Sequence, residues 1–131
     1  MTKDEILNMQ PSKKMRALLA INVMGWEAYA PEPFDDRQRT YYRDPETKEA
    51  RSFESWHPDE NMTDAYLVLA ELAKEPFAWH IESANLKDGC VVWWVCLWGD
   101  MPDGSIAEFS AQAESIPLAV SRVALLKGCG V

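Results

Sequence analysis

Three cysteines, two histidines and a scatter of carboxylates are the residues of this sequence whose types could do chemistry. Cys90 and Cys96 lie in an apolar run, and period-2 spacing puts them on one strand face with Trp94 and Trp98. A free Cys in such a strand is usually a small buried hydrophobe. A nucleophilic thiolate needs a neighbouring His or a helix N-terminus, and His80 on the preceding strand is the residue that register would have to bring across. Packing outweighs catalysis here, and Cys129, flanked by glycines, reads as an exposed thiol. The count is odd and no CxxC spacing occurs, so neither a disulfide framework nor a zinc site is signalled. His57, Asp59, Glu60 and His80 are the one plausible metal-ligand set. Their spacing is too loose to outweigh a solvated turn plus an exposed strand histidine, so no metal is expected. The pairs Asp35-Asp36 and Asp59-Glu60 fall in loops with nothing to desolvate one partner for acid–base work. Gly25, Gly99 and Gly104 are isolated, which excludes a glycine-rich phosphate loop.

Aromatic residues carry more information. Trp26, Tyr29, Phe34, Tyr41, Tyr42, Phe53 and Trp56 are interleaved with Arg37, Arg39, Arg43 and Arg51. Such a mixture can stack a base or anchor a protein partner. The alternative is that Trp26 and Trp56 close a sheet edge or cover helix ends; it is favoured for Trp26 and evenly balanced for Trp56. Trp93, Trp94 and Trp98 are assigned to the core, with Trp79 joining them. Arg122 sits among apolar residues and either pairs with a carboxylate such as Asp64 or faces a pocket. The candidate binding residues are therefore Trp26, Tyr41, Tyr42, Trp56, His57 and Arg122; no catalytic residue and no cofactor is indicated.

These side chains must be positioned by elements the sequence marks out. Thr2 with Glu5 has a capping-box spacing, so a first turn begins at Lys3, and Pro11 interrupts it. Ser12 opens the first main helix, which runs to about Met24 before Gly25. Trp26 to Ala30 reads as a short extended stretch. Arg39–Arg43 and Ala50–Phe53 flank a turn at Asp44-Pro45-Glu46-Thr47-Lys48 and read as a hairpin. Asn61 or Thr63 caps a second helix reaching Lys74, and Pro76 forbids its continuation. Phe77, Trp79 and Ile81 then alternate with polar neighbours. Cys90–Trp98 is apolar on both faces, the mark of a central strand covered above and below. In the third strand Ala107, Phe109, Ala111 and Ala113 face inward. Ser115 caps the last helix, with Pro117 in its first turn, a stripe of Ile116, Ala119, Val120 and Val123, and an end near Lys127.

The chain has 131 residues, fitting one domain over 1–131, and its hydrophobic fraction of 47% supports a packed globule. A net charge of −8 disfavours binding to phosphate backbones. The acidic N-terminus is unlike a signal peptide, and Val91–Trp98 is too short to span a bilayer. A reducing cytoplasm is the expected setting. Helix, meander, helix from Met62 to Lys127 has the connectivity of a double-stranded-RNA-binding domain, but Glu114-Ser115-Ile116-Pro117 lacks the lysines that grip phosphate.

Val23-Met24-Gly25-Trp26, the turn Trp56-His57-Pro58 leading to Asp64-Ala65, and the closing run Ile116-Pro117-Leu118-Ala119-Val120-Ser121-Arg122-Val123-Ala124-Leu125-Leu126 together resemble the phage ABA-sandwich family of small phage and prophage proteins. They are also similar to the NinX-like proteins of lambdoid phages. The resemblance implies a viral or prophage origin and no established enzymatic activity. Arg16 stands where an acidic residue is common in the family, and Pro31–Ser55 is unusually long. The expected fold is α+β, a three-layer α-β-α sandwich with a mainly antiparallel sheet of about four to five strands and three helices. The expected function is non-enzymatic binding to a host protein or to a second copy, including mimicry of nucleic acid by an acidic face. A binder of a small nucleotide signal and a Cys- or metal-dependent hydrolase are the alternatives; nucleic acid and membrane are not expected partners.

Overall fold

The computed structural model describes residues 1–29, 41–52, 54–74, 77–86 and 88–130, and the side chains of Tyr29 and Tyr41 lie outside that description. The order is α1 (Lys3–Leu7), α2 (Lys13–Asn22), β1 (Glu27–Tyr29), β2 (Tyr41–Arg43), β3 (Ala50–Ser52), α3 (Met62–Leu72), β4 (Phe77–Asn85), β5 (Val91–Asp100), β6 (Ile106–Ala113) and α4 (Ile116–Gly128). Each helix starts at a side-chain cap. Thr2, Ser12, Asn61 and Ser115 all accept hydrogen bonds from amides of the first turn, which those amides cannot find within the helix.

Among the described residues two sheets form where one of four to five strands was expected. β1, β2 and β3 make a small antiparallel sheet with Tyr42 opposite Arg51. β4, β5 and β6 make a longer antiparallel meander. The hairpin expected at 39–53 is present as β2 and β3, with its outermost positions, 39, 40 and 53, outside the described residues. Short strands interrupted by polar turns lack the reach to join the long sheet. The described helices are four rather than three, because the capped turn at Lys3 forms α1.

Helix α4 lies on β5 and β6 and is flanked on its other sides by α1, α2 and α3. Every residue from Pro117 to Leu126 is buried, so the stripe read from the sequence understates it: the helix is apolar nearly all round, as a fully enclosed helix must be. The one ionised group in that stretch is Arg122. Its Nε and Nη2 donate to the Met9 carbonyl at 3.1 and 2.8 Å, and Nη1 donates to the Gln112 carbonyl at 2.8 Å. The guanidinium thus ties the α1–α2 junction to the end of β6. Burial lowers the Arg122 pKa, and the charge of Glu114 works against that shift.

Among the described residues, the cover on both faces of β5 expected from its composition is not found. Pairing puts Ala78, Trp98 and Glu108 side by side, then His80, Cys96 and Ser110, then Glu82, Trp94 and Gln112, all on one face. On the opposite face Val95, Leu97, Ala111 and Ala113 are buried under α4. On the first face Trp94 is 40% exposed, Trp98 41% and Ile106 72%. Trp94 and Trp98 therefore do not belong to the core. Trp79, on the α4-facing side but on the outlying strand β4, is also 42% exposed, because α4 lies chiefly across β5 and β6. Trp93 is half-buried, as a core position near the strand's end.

Tight turns close the meander. Gly89 and Gly104, both at φ +86, supply the left-handed residue. Asp88 Oδ1 accepts from the Cys90 amide at 3.0 Å and Asp103 Oδ1 from the Ser105 amide at 2.9 Å. Asp44 makes the same contact with the Glu46 amide at 2.8 Å in the β2–β3 turn.

Two outcomes are expected. Arg122→Met leaves the Met9 and Gln112 carbonyls without these donors and should cost roughly 2–4 kcal/mol in urea unfolding, with Arg122→Lys recovering only part because an ammonium cannot span both acceptors. Amide hydrogen bonds hold Asp44 and Asp88, and the Ser105 hydroxyl followed by the Ser105 amide holds Asp103, below the ordinary carboxylate pKa. Their stabilisation is present above that ordinary value, near 4, and fades as pH falls through the lowered values. The melting temperature of the triple Asn variant should therefore drop less than that of the wild type on acidification from pH 5 to pH 2.5.

Candidate functional site

Trp26, Tyr42 and Trp56 come together, but in the interior. Trp56 is 1% exposed, with its ring centroid 4.8 Å from Trp26 and 6.2 Å from Tyr42 in tilted and edge-on arrangements. The Arg51 guanidinium sits 5.7 Å over the Trp26 ring. Aromatic edges on faces and a capping cation are how such rings pack, so this trio joins the small sheet to the helices. Burial raises the Tyr42 pKa and the Arg16 charge opposes it. Tyr41 contributes backbone to β2, while the expectations for Phe34, Arg37, Arg39, Asp35-Asp36 and Phe53 fall outside the described residues.

The residues around His57 form an ion-pair network. Buried Asp59 accepts from the Ser12 amide at 2.9 Å and from Arg16 Nε at 3.0 Å, and Arg16 Nη2 lies 3.5 Å from Glu60 Oε2. His57 Nδ1 is 3.9 Å from Glu60 Oε2, and its Nε2 contacts the Glu54 carbonyl. Asp64 accepts from the His57 amide at 2.9 Å, so the Asp64–Arg122 pair expected from the sequence does not form. The network anchors the α2 N-terminus to the loop before α3. Among the described residues no three His, Cys, Asp or Glu side chains converge as metal ligands.

A cleft of about 610 Å³ opens where Trp26 meets the β2–β3 turn and the end of α3. Asp44, Glu46 and Glu71 line it with Lys74, whose ammonium is 2.6 Å from Glu71. That contact, with the charges of Glu46 and Asp44, raises the Lys74 pKa. Three carboxylates against one paired lysine repel a phosphate group.

The open face of β4–β6 combines exposed apolar area with polar groups that no inward-facing role explains. Trp94 stands opposite Glu82, and Trp98 opposite Glu108. Cys96 lies between the indoles with His80 directly across on β4, the pairing a thiol nucleophile would need. The chemistry runs the other way. Desolvation first, then the charges of Glu108 and Glu82, push the Cys96 thiol pKa up, and its Sγ–H points to Glu108 at 4.0 Å. A thiol kept protonated is a poor nucleophile. Cys129 is half-buried, not free in a tail as expected, and burial raises its pKa too. Sequence reasoning missed this face as a site, although alternation along β5 already put Trp94, Cys96 and Trp98 together.

No helix among the described residues is long and apolar enough to cross a membrane. No curated protein and no solved structure matches the chain. A family model described as the phage ABA sandwich domain matches residues 17–125, and the chain belongs to that family.

Proposed function

We propose that this member of the phage ABA sandwich family is a non-enzymatic binding or accessory protein of phage or prophage origin, which engages a host protein or a second copy of itself through the open face of β4–β6. One observation carries the reading: Trp94 and Trp98, 40% and 41% exposed, with Ile106 beyond them, stand on a sheet face that no described element covers. Tryptophans kept in water are unfavourable unless a partner covers them, and they are over-represented among the residues that dominate protein interfaces. The protonated thiol of Cys96 gives no support to a hydrolase. The acidic lining of the cleft at Trp26 gives none to a nucleotide binder.

The test is the double variant Trp94→Ser/Trp98→Ser, checked for folding by near-ultraviolet circular dichroism. Wild type should either retain a specific protein from bacterial lysate or show a dimer mass under native conditions, and the folded variant should lose that association by an order of magnitude. Equal association by both, or none by either, removes the reading.

A further inference from the structure

Charge on the same face narrows the partner. β4, β5 and β6 contain no Lys or Arg at all. Their acidic residues, Glu82, Asp100 and Glu108, are all exposed. By register and alternation all three lie on the open side: Glu82 and Glu108 flank the indoles, and Asp100 follows Trp98 by two residues. Among the described residues of these strands His80 alone can become cationic, and it rests 3.6 Å from Glu82 Oε2, while Lys3 of α1 borders Glu108 in a shared cleft. The face is therefore an apolar strip edged by negative charge.

The arrangement repeats. Each of the two exposed indoles on this face has a carboxylate in the directly paired position, Glu82 for Trp94 and Glu108 for Trp98. Cross-strand neighbours of this kind stand about 5 Å apart at Cβ. An Arg or Lys side chain laid over either ring is then also within reach of a carboxylate, combining a cation–π contact with a charge-assisted hydrogen bond. The two positions are four residues apart on β5, about 13 Å at the rise of an extended strand. Resting on the reading of this face as a docking surface, we propose that its occupant is an extended, basic and apolar segment of a partner protein, with cationic side chains spaced to reach both the Trp94–Glu82 and the Trp98–Glu108 pairs. A second copy of the chain fits poorly, because an isologous contact would set Glu82, Asp100 and Glu108 of one copy against a face with the same three carboxylates and no Lys or Arg on its strands. Phosphate backbones and anionic lipid surfaces are repelled by the same three groups.

The probe is a fluorescein-labelled peptide with Arg at positions i and i+4 among Leu and Val, beside a counterpart carrying Glu in place of Arg. Anisotropy titrations at low salt compare wild type, Glu82→Gln/Glu108→Gln, Trp94→Ser/Trp98→Ser and Glu5→Gln/Glu49→Gln, the last removing equal charge from exposed positions outside this sheet. Wild type should bind the Arg peptide and not the Glu peptide. The Glu82/Glu108 variant should bind roughly tenfold more weakly, and the Glu5/Glu49 variant like wild type. No binding by wild type, equal binding of both peptides, or equal weakening by the Glu5/Glu49 variant overturns the proposal. If removing the indoles abolishes binding while removing the carboxylates does not, the face remains a docking surface and only its basic partner is rejected. If neither pair matters, both readings fail. A concentration-dependent dimer in sedimentation that Trp94→Ser/Trp98→Ser abolishes assigns the face to a second copy and overturns the basic partner.

Discussion

A helix buried on every side must be enclosed before any of the chain is stable, and α4 is such a helix. Its residues Pro117–Leu126 have no water-facing stripe, so β5 and β6 close one side and α1, α2 and α3 the others. Enclosure leaves the problem of Arg122, which must find acceptors without leaving the interior. The two backbone carbonyls it reaches belong to segments far apart in sequence. One side chain thereby fixes how the N-terminal helices sit relative to the last strand. The Arg16–Asp59 pair, at the N-terminus of α2, ties that helix to the loop before α3.

Using one face of the long sheet to cover α4 settles what the other face can be. Strand side chains alternate, so Val95 and Leu97 cannot be buried without presenting Trp94, Cys96 and Trp98 outward. A protein indifferent to that face would carry polar residues there, as β6 does at Glu108, Ser110 and Gln112. β5 instead places two of its three tryptophans there, each beside a carboxylate.

Much of this was legible in the sequence. The four caps at Thr2, Ser12, Asn61 and Ser115 and the break at Pro11 follow from local chemistry and are found where expected. The family resemblance also holds, over residues 17–125. Composition misleads where the answer depends on distant chain. An apolar strand face reads the same whether a helix of the same molecule or a separate partner covers it, so Trp94 and Trp98 were placed inside. Trp26, Tyr42 and Trp56 were candidates for contact because they lie in a polar, arginine-rich stretch, yet their rings close on one another in the interior. Arg122 was matched to a carboxylate because pairing by charge is visible in a sequence, whereas backbone carbonyls as acceptors are not.

The bond from Arg122 to the Met9 carbonyl spans 113 residues. The element that the others surround comes after all of them in chain order. During synthesis the early helices and the sheet must wait, with their inner sides unoccupied, until residues 116–128 leave the ribosome. Contacts of such long separation make folding slow and concerted, so a ribosome stalled before that point would hold a sticky, unfinished chain in need of a chaperone.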